Sequence, residues 1–302
     1  MPQTQEKHNA QQIGWVGLGK MGTPIVRNLL AAGFDVTVYD VDAARVDEAV
    51  RLGARRAEDL ASVARSAPLV FSIIPDDAVL RKIALGAHGV IENANGGAVY
   101  IDMSTVSPTA SGDVRDAAHK RGIGYVCAPV SGSTVLAERA QLTVFASGPQ
   151  DAYGRALPVF QAMSVRQYNV GEDQQARYLK LAINHLVGST AVLLAEALTL
   201  GTRGGLDWAE MLEVIGDSVA ASPLIKYKLE PLKKRDFSPA FSSRQMLKDM
   251  SLVVDAGADA GVTMTAAALV REQFARYAEG EGADLDFFSI VRAVEAQAGI
   301  CR

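Results

Sequence analysis

A short apolar strand pattern, Ile13-Gly14-Trp15-Val16, runs straight into Gly17-Leu18-Gly19-Lys20-Met21-Gly22 and then into a helical pattern over residues 23–32. No other stretch constrains the fold as much. The first glycine permits a tight turn, the second lets a pyrophosphate approach the backbone, and the third lets the helix pack closely on the strand. The start of the helix then offers backbone N–H groups and a positive dipole end to an anion. A bare G-x-G-x-x-G is a common glycine turn, so its surroundings decide its meaning. After Gly33 a second strand pattern ends in Asp40, about 20 residues beyond the first glycine, the spacing at which a carboxylate meets an adenosine ribose. Such a carboxylate accepts hydrogen bonds from the ribose hydroxyls and repels a 2′-phosphate, whereas its plain alternative is to cap the next helix. Arg45 is the nearest cation that could hold that phosphate. NAD is therefore the expected cofactor and NADP the second option.

The alternation continues through a helix over 43–52, a strand-like Ala54-Arg55, a helix over 57–65 and the apolar strand 69–74. A short helix over 78–84, a loop over 86–97 and strands over 98–101, 124–127 and 142–148 follow, and strand 165–170 is expected to close the sheet. Ser107 followed by Pro108 reads as an N-cap and first helical residue. Repeated βαβ units imply a doubly wound, mostly parallel sheet with helices on both faces. Ile74 and Pro75 end one strand at the edge where open α/β sheets bind ligands, although Pro75 by itself serves to stop the strand. Ser131-Gly132, at the end of another strand, is the kind of small turn that holds an anion with backbone N–H groups and a hydroxyl.

No strand pattern appears after Val170. Residues 178–198 read as one long apolar helix with Lys180 and Asn184 four residues apart on one face. Gly204-Gly205 ends it, and helical patterns follow at 207–215, 223–232, 243–257, 263–278 and 286–297. The expected organisation is a flexible extension over 1–12, a dinucleotide-binding Rossmann domain over 13–171 and an all-α substrate and oligomerisation domain over 172–302. Met246, Met250 and Met264 read as core filler, and Lys233-Lys234-Arg235 as a solvated turn.

The bulk properties narrow the partners. Among 302 residues the net charge is −4 with both signs interspersed, so no basic field points to nucleic acid. Cys127 and Cys301 have no metal-ligand spacing and suit a reducing cytoplasm, so no metal site is expected. The polar start lacks the apolar core of a secretory signal. The least polar part of the long helix, residues 186–195, is about half of a bilayer span, so no membrane insertion is expected.

Gly17-Leu18-Gly19-Lys20-Met21-Gly22-Thr23-Pro24, Asp102-Met103-Ser104-Thr105, Pro129-Val130-Ser131-Gly132, Lys180 with Asn184, and Phe241 with Met246-Leu247-Lys248-Asp249 occur in this order. Together, from about Ile13 onward, they resemble the β-hydroxyacid dehydrogenases, within the wider group of 6-phosphogluconate dehydrogenase. The resemblance implies that Gly17, Leu18, Gly19, Met21, Gly22 and Asp40 bind the dinucleotide, that Ile74, Pro75 and Thr105 flank its ribose and nicotinamide, and that Lys248 lines the cleft beside it. It further implies that Ser131 and Gly132 hold a substrate carboxylate, that Asn184 orients the substrate and that Lys180 is the acid/base. It implies a homodimer or homotetramer as well. Ser133, Ile183 and Ala140 depart from the family pattern and concern the shape of the acid pocket. Hydride transfer between a small 3-hydroxy acid and NAD is the expected activity. An imine reductase and a non-catalytic dinucleotide-binding module are the alternatives, and Lys180 argues against the first of them.

Overall fold

The computed structural model describes residues 11–300, so nearly all of the expected N-terminal extension, and Cys301, lie outside the described residues. Backbone contacts divide the chain into two compact units, one ending at Lys180 and one beginning at Leu181.

The first unit is built on six parallel strands, β1 (Gln12–Val16), β2 (Asp35–Tyr39), β3 (Arg55–Arg56), β4 (Leu69–Ser72), β5 (Val99–Asp102) and β6 (Gly124–Cys127). Their order across the sheet is β3-β2-β1-β4-β5-β6. Chain direction across the sheet therefore reverses between β1 and β4, the place where such sheets open a crevice at the strand ends. Every residue of β4 and β5 is buried, as is required when a parallel sheet is covered on both faces. The covering helices are α1 (Gly22–Ala31), α2 (Ala43–Arg51), α3 (Leu60–Ser66), α4 (Asp77–Leu85), α5 (Val90–Asn93) and α6 (Pro108–Lys120). Ile13, Trp15, Ile25, Leu29, Val38 and Phe71 form the centre of one apolar core, with Trp15 stacked on Phe71.

Three expectations for this unit are corrected. The strand β9 (Ser164–Asn169) does not close the main sheet; it pairs with β8 (Leu142–Ala146), which pairs with β7 (Val130–Ser131), in a separate three-stranded sheet. Between β8 and β9 lies α8 (Gln150–Met163), whose internal Pro158 hides its helical pattern. The expected loop over 86–97 contains α5, and α3 starts three residues late because Asp59 accepts a hydrogen bond from Ser62 N and caps it. A short helix, α7 (Thr134–Glu138), follows β7.

The long helix α9 (Gln175–Arg203) is 29 residues and is long and apolar enough to cross a membrane by length and composition. Its Leu181, Ala191, Val192, Leu194, Ala195 and Leu198 are instead buried in the core of the second unit, among α10 (Trp208–Asp217), α11 (Pro223–Lys234), α12 (Ser243–Asp259), α13 (Thr265–Ala278) and α14 (Val291–Gln297). Met246 and Met250 are buried there and Met264 packs against them, as expected of core filler. The basic triplet departs from a solvated turn. Arg235 closes α11 in a left-handed conformation, forks onto the Glu295 carboxylate and lies 4.3 Å over the Trp208 ring, while Lys233 pairs with Glu213 at 2.9 Å.

Candidate functional site

The glycine loop is shaped by contacts that only hydrogen atoms permit. Gly17 has φ +98°, donates from its N–H to Tyr39 O at 3.0 Å, and a Cβ there would stand 2.2 Å from Ile73 O. A Cβ on Gly22 would stand 2.0 Å from Gly17 O, so α1 packs as closely on the loop as the motif requires. In front of Gly19 there is open space, with an Arg45 guanidinium nitrogen 4.0 Å from a Cβ built there. Met21, the N-cap of α1, offers no side-chain acceptor to the first-turn amides, and no acidic residue stands in that turn. This end of the helix is thus arranged for an anion.

Asp40 is engaged by the protein itself. Its Oδ2 accepts from Leu18 N at 2.6 Å and its Oδ1 from Asp42 N at 2.8 Å, so the carboxylate braces the glycine loop against the end of β2. The cap of α2 is Asp42, which accepts from Ala44 N, so the capping alternative for Asp40 does not hold. Each Asp40 oxygen retains a lone pair for a further donor. Arg45 is paired to Asp42 at 3.2 Å.

At the ends of β4 and β5 a buried polar network appears that residue spacing did not reveal. Ile74 N donates to Ser104 Oγ at 2.8 Å, and Ser104 Oγ donates to Asp102 Oδ1 at 2.7 Å. Ser72 Oγ donates to the same oxygen at 2.6 Å. The other oxygen, Asp102 Oδ2, is 2.6 Å from Arg177 Nη2, and both side chains are fully buried. Arg177 stands in the first turn of α9, three residues before Lys180. Thr105 is half-buried beside Ser104, and Pro75 is exposed just ahead of Asp76, the cap of α4. In the sequence Asp102 and Ser104 stand out only as part of a motif, and Arg177 only as a charged residue at helical spacing from Lys180.

Ser131 is half-buried on β7 and Gly132 follows with φ +139°; a Cβ there would stand 2.7 Å from a Leu142 methyl, so the turn needs glycine. Ser133 precedes α7 without a side-chain capping bond, and Ala140, at φ +54°, occupies the left-handed region that glycine favours. Lys180 and Ile183 are half-buried. In the second unit Asn184 is buried, and its Nδ2 donates to Asp249 Oδ2 at 2.6 Å. Lys248 Nζ lies 2.8 Å from Asp249 Oδ1, an ion pair on a carboxylate that is itself buried. The structure thus joins Leu18 to Asp40, Ile74 to the segment before Thr105, and Asn184 to Lys248 through Asp249.

Residues 12–171 match the family described as the NAD binding domain of 6-phosphogluconate dehydrogenase, and residues 175–294 the one described as NAD-binding of NADP-dependent 3-hydroxyisobutyrate dehydrogenase. The chain is 32% identical over 291 residues to 2-(hydroxymethyl)glutarate dehydrogenase of Eubacterium barkeri, with 96% of each protein covered. The chain belongs to the β-hydroxyacid dehydrogenase family. Another relative, glyoxylate/succinic semialdehyde reductase 1 of Arabidopsis thaliana, is 31% identical over 94% of this chain and 98% of its own length. Among solved structures, 3-hydroxyisobutyrate dehydrogenase of Mycobacterium tuberculosis with L-serine superposes with a TM-score of 0.86 at 26% identity, covering 94% of this chain and 99% of that one. Membership makes the protein an NAD(P)-dependent oxidoreductase of the β-hydroxyacid type. The glycine cradle, the open face of Gly19 and the uncapped start of α1 fit a dinucleotide pyrophosphate.

Proposed function

We propose that the protein interconverts a small acid bearing a hydroxyl β to its carboxylate with the corresponding semialdehyde or keto acid, using Lys180 as the acid/base. The names of two relatives support this class: 2-(hydroxymethyl)glutarate and 3-hydroxyisobutyrate both carry a hydroxymethyl group next to a carboxylate, while succinic semialdehyde shares the aldehyde-acid chemistry without the β spacing. The observation that carries the reading is Lys180 and Asn184 one turn apart on α9, a helix that begins on the strand-end network beside Thr105.

Bound at the glycine loop, the nicotinamide dinucleotide supplies the hydride acceptor or donor. The chain's own residues do the rest. The Ser131 hydroxyl and Gly132 backbone hold the carboxylate, fixing the far end of the substrate, and orientation of this kind contributes several kcal/mol to catalysis. Neutral Lys180 takes the proton of the hydroxyl as the carbinol carbon gives up its hydride, and in reduction the ammonium returns that proton. With one Asn184 amide N–H held by Asp249, the second is left to donate to the substrate oxygen, whose single proton goes to Lys180. NAD is the preferred cofactor, since the Asp40 carboxylate stands where a 2′-phosphate would be repelled and Arg45 is paired with Asp42. The protein self-associates: Leu186, Leu193 and Leu200, exposed at seven-residue intervals, share one face of α9 and form an apolar stripe that a second copy would cover.

A panel of 3-hydroxyisobutyrate, 3-hydroxypropionate, glycerate and threonate, each with NAD and NADP, tests the activity. At least one acid should reduce the nicotinamide, oxidation should speed up as pH rises, and Lys180→Ala should lose turnover while still binding NAD. Near-normal turnover by Lys180→Ala would remove the lysine from the mechanism. NAD binding without turnover of any acid would favour a non-catalytic module.

A further inference from the structure

We propose that Arg177 is the positioning residue of Lys180: its buried ion pair with Asp102 ties the first turn of α9 to the strand ends beside Ile74 and Thr105 and so sets where the Lys180 ammonium stands. The proposal rests on the acid/base reading of Lys180 and adds the device that holds it.

A guanidinium carries five donors in a fixed planar fork. Here all three nitrogens are engaged. Nε donates to Ser111 Oγ at 3.0 Å, Nη1 to Ser104 O at 2.6 Å, and Nη2 to Asp102 Oδ2 at 2.6 Å, with Asp102 O and the Tyr125 hydroxyl each 3.2 Å from Nη2. The acceptors come from the end of β5, from α6 and from β6, so the first turn of α9 cannot rotate or slide without stripping a buried cation of several partners at once. Stability alone is a weak reason to keep such a pair, because apolar side chains of similar volume commonly serve as well. What the pair does supply is register. Asp102 spends its second oxygen on the Ser72 and Ser104 hydroxyls, and Ser104 Oγ accepts from Ile74 N. One carboxylate is thereby shared by the segment after β4, the segment after β5 and the helix that carries Lys180.

Lys180 follows Arg177 by three residues, on the same face of a continuous helix, so fixing Arg177 fixes the Lys180 backbone. A second anchor keeps the helix in place when the first is weakened: Ser147 Oγ accepts from Ala176 N at 3.0 Å and donates to Asp173 O at 2.6 Å. Loss of the Arg177 fork should loosen the start of α9 rather than detach it.

The test uses the full chain with 3-hydroxyisobutyrate and NAD, comparing wild type, Arg177→Lys, Lys180→Ala and the double variant by single-turnover reduction of the nicotinamide. Arg177→Lys keeps the charge and loses the fork. It should lower the rate at least tenfold while the Kd for NAD stays within threefold, and backbone amides of residues 178–181 should exchange hydrogen faster. In the Lys180→Ala background the same substitution should change the residual rate by less than threefold, because a residue that acts through Lys180 has nothing left to act on. An equal loss in both backgrounds, or unchanged exchange over 178–181, would overturn the positioning role. Should Arg177→Lys not fold, Arg177→Met with Asp102→Asn removes both charges together and is held to the same criteria, hydrogen exchange included. If Lys180→Ala retains turnover, the acid/base reading falls. If it does not and Arg177→Lys is fully active, only the positioning role falls. If 3-hydroxyisobutyrate is not turned over at all, the exchange measurement still decides whether the fork sets the start of α9.

Discussion

Asn184 Nδ2 donates to Asp249 Oδ2 across 2.6 Å, and both side chains are buried. The carboxylate decides which way round the amide sits: its N–H faces Asp249 and its carbonyl faces away. Asp249→Asn removes that preference, since two amides can pair in either sense. A hydrogen bond to a charged group contributes about 1.5–3 kcal/mol, so kcat/KM for the hydroxy acid should fall roughly ten- to hundredfold, with the Kd for NAD little changed. Steady-state kinetics and nucleotide titration check this, and unaltered kcat/KM would mean that the orientation of Asn184 is irrelevant to the reaction.

Asp40 has two duties that one substitution separates. The carboxylate braces Leu18 and Asp42 through their amides, and by the proposal it also selects against a 2′-phosphate. Asp40→Asn should weaken the brace for both cofactors alike, whereas the loss of charge should favour NADP alone. Like charges about 4 Å apart cost about 1–4 kcal/mol in surroundings between water and a protein surface, so the NADP:NAD ratio of kcat/KM should rise about fivefold or more. A ratio that stays constant while both values drop would leave Asp40 as a brace only.

What could be read from the chain and what could not divides by sequence distance. The glycine motif lies within Gly17 to Gly22, although Ile73 O sets part of its steric demand, and the caps Ser107 and Ser222 lie within one turn of their targets, so local rules found the motif and the Ser107 cap and would find Ser222. The pairing of β8 with β9 rather than with the main sheet is a choice between strands of similar composition, and a two-residue β7 leaves no periodicity to detect. Arg177 and Asp102 are 75 residues apart, and Asn184 and Asp249 are 65 apart. Each looks ordinary in its own neighbourhood; only the fold shows that the buried arginine has a counter-ion. The seven-residue leucine spacing on α9 was present in the chain, but without the exposed faces it could not be told from core periodicity.

Ala140 sits at φ +54° in the turn between α7 and β8, where an L side chain is strained. Ala140→Gly relieves that strain against a smaller entropic loss in the unfolded chain, and should stabilise the first unit by about 0.5–1 kcal/mol. Urea unfolding should show a higher midpoint at an unchanged slope. The equivalent change at Arg235, also left-handed at φ +51°, should destabilise, because it removes the guanidinium from Glu295 and from the Trp208 ring. A lower midpoint for Ala140→Gly would show that the methyl group makes up for its backbone.

The leucine stripe makes its own demand. Leu186, Leu193 and Leu200 are 67%, 63% and 76% exposed, and a second copy of the chain is the proposed cover. Leu193→Glu puts a charge in the middle of that stripe and should convert the proposed dimer or tetramer into smaller species in sedimentation, with the fold retained by circular dichroism. A monomeric wild type would dismiss the self-association proposal, and an unchanged mass for the variant would move the interface elsewhere.

Two tyrosines behind the Arg177–Asp102 pair should limit stability in alkali. Burial, with the Asp102 charge adding, holds the Tyr100 hydroxyl well above the usual phenol range; burial likewise raises Tyr125, with the Arg177 cation offsetting part of the effect. Both groups therefore keep their protons in the folded chain at a pH where the unfolded chain has lost them. Their contribution is fully present below the ordinary phenol value of about 10 and is lost progressively as pH rises above it. Each retained proton corresponds to about 1.4 kcal/mol per pH unit, so the two together should steepen the alkaline fall to about 2.7 kcal/mol per unit. Unfolding free energies from urea titrations at successive pH values above 10 measure that slope. Tyr100→Phe removes one proton from the balance while leaving Ser72 its hydrogen bond to Asp102, and should bring the slope down by about half. A slope that Tyr100→Phe leaves untouched would assign the alkaline loss to other groups.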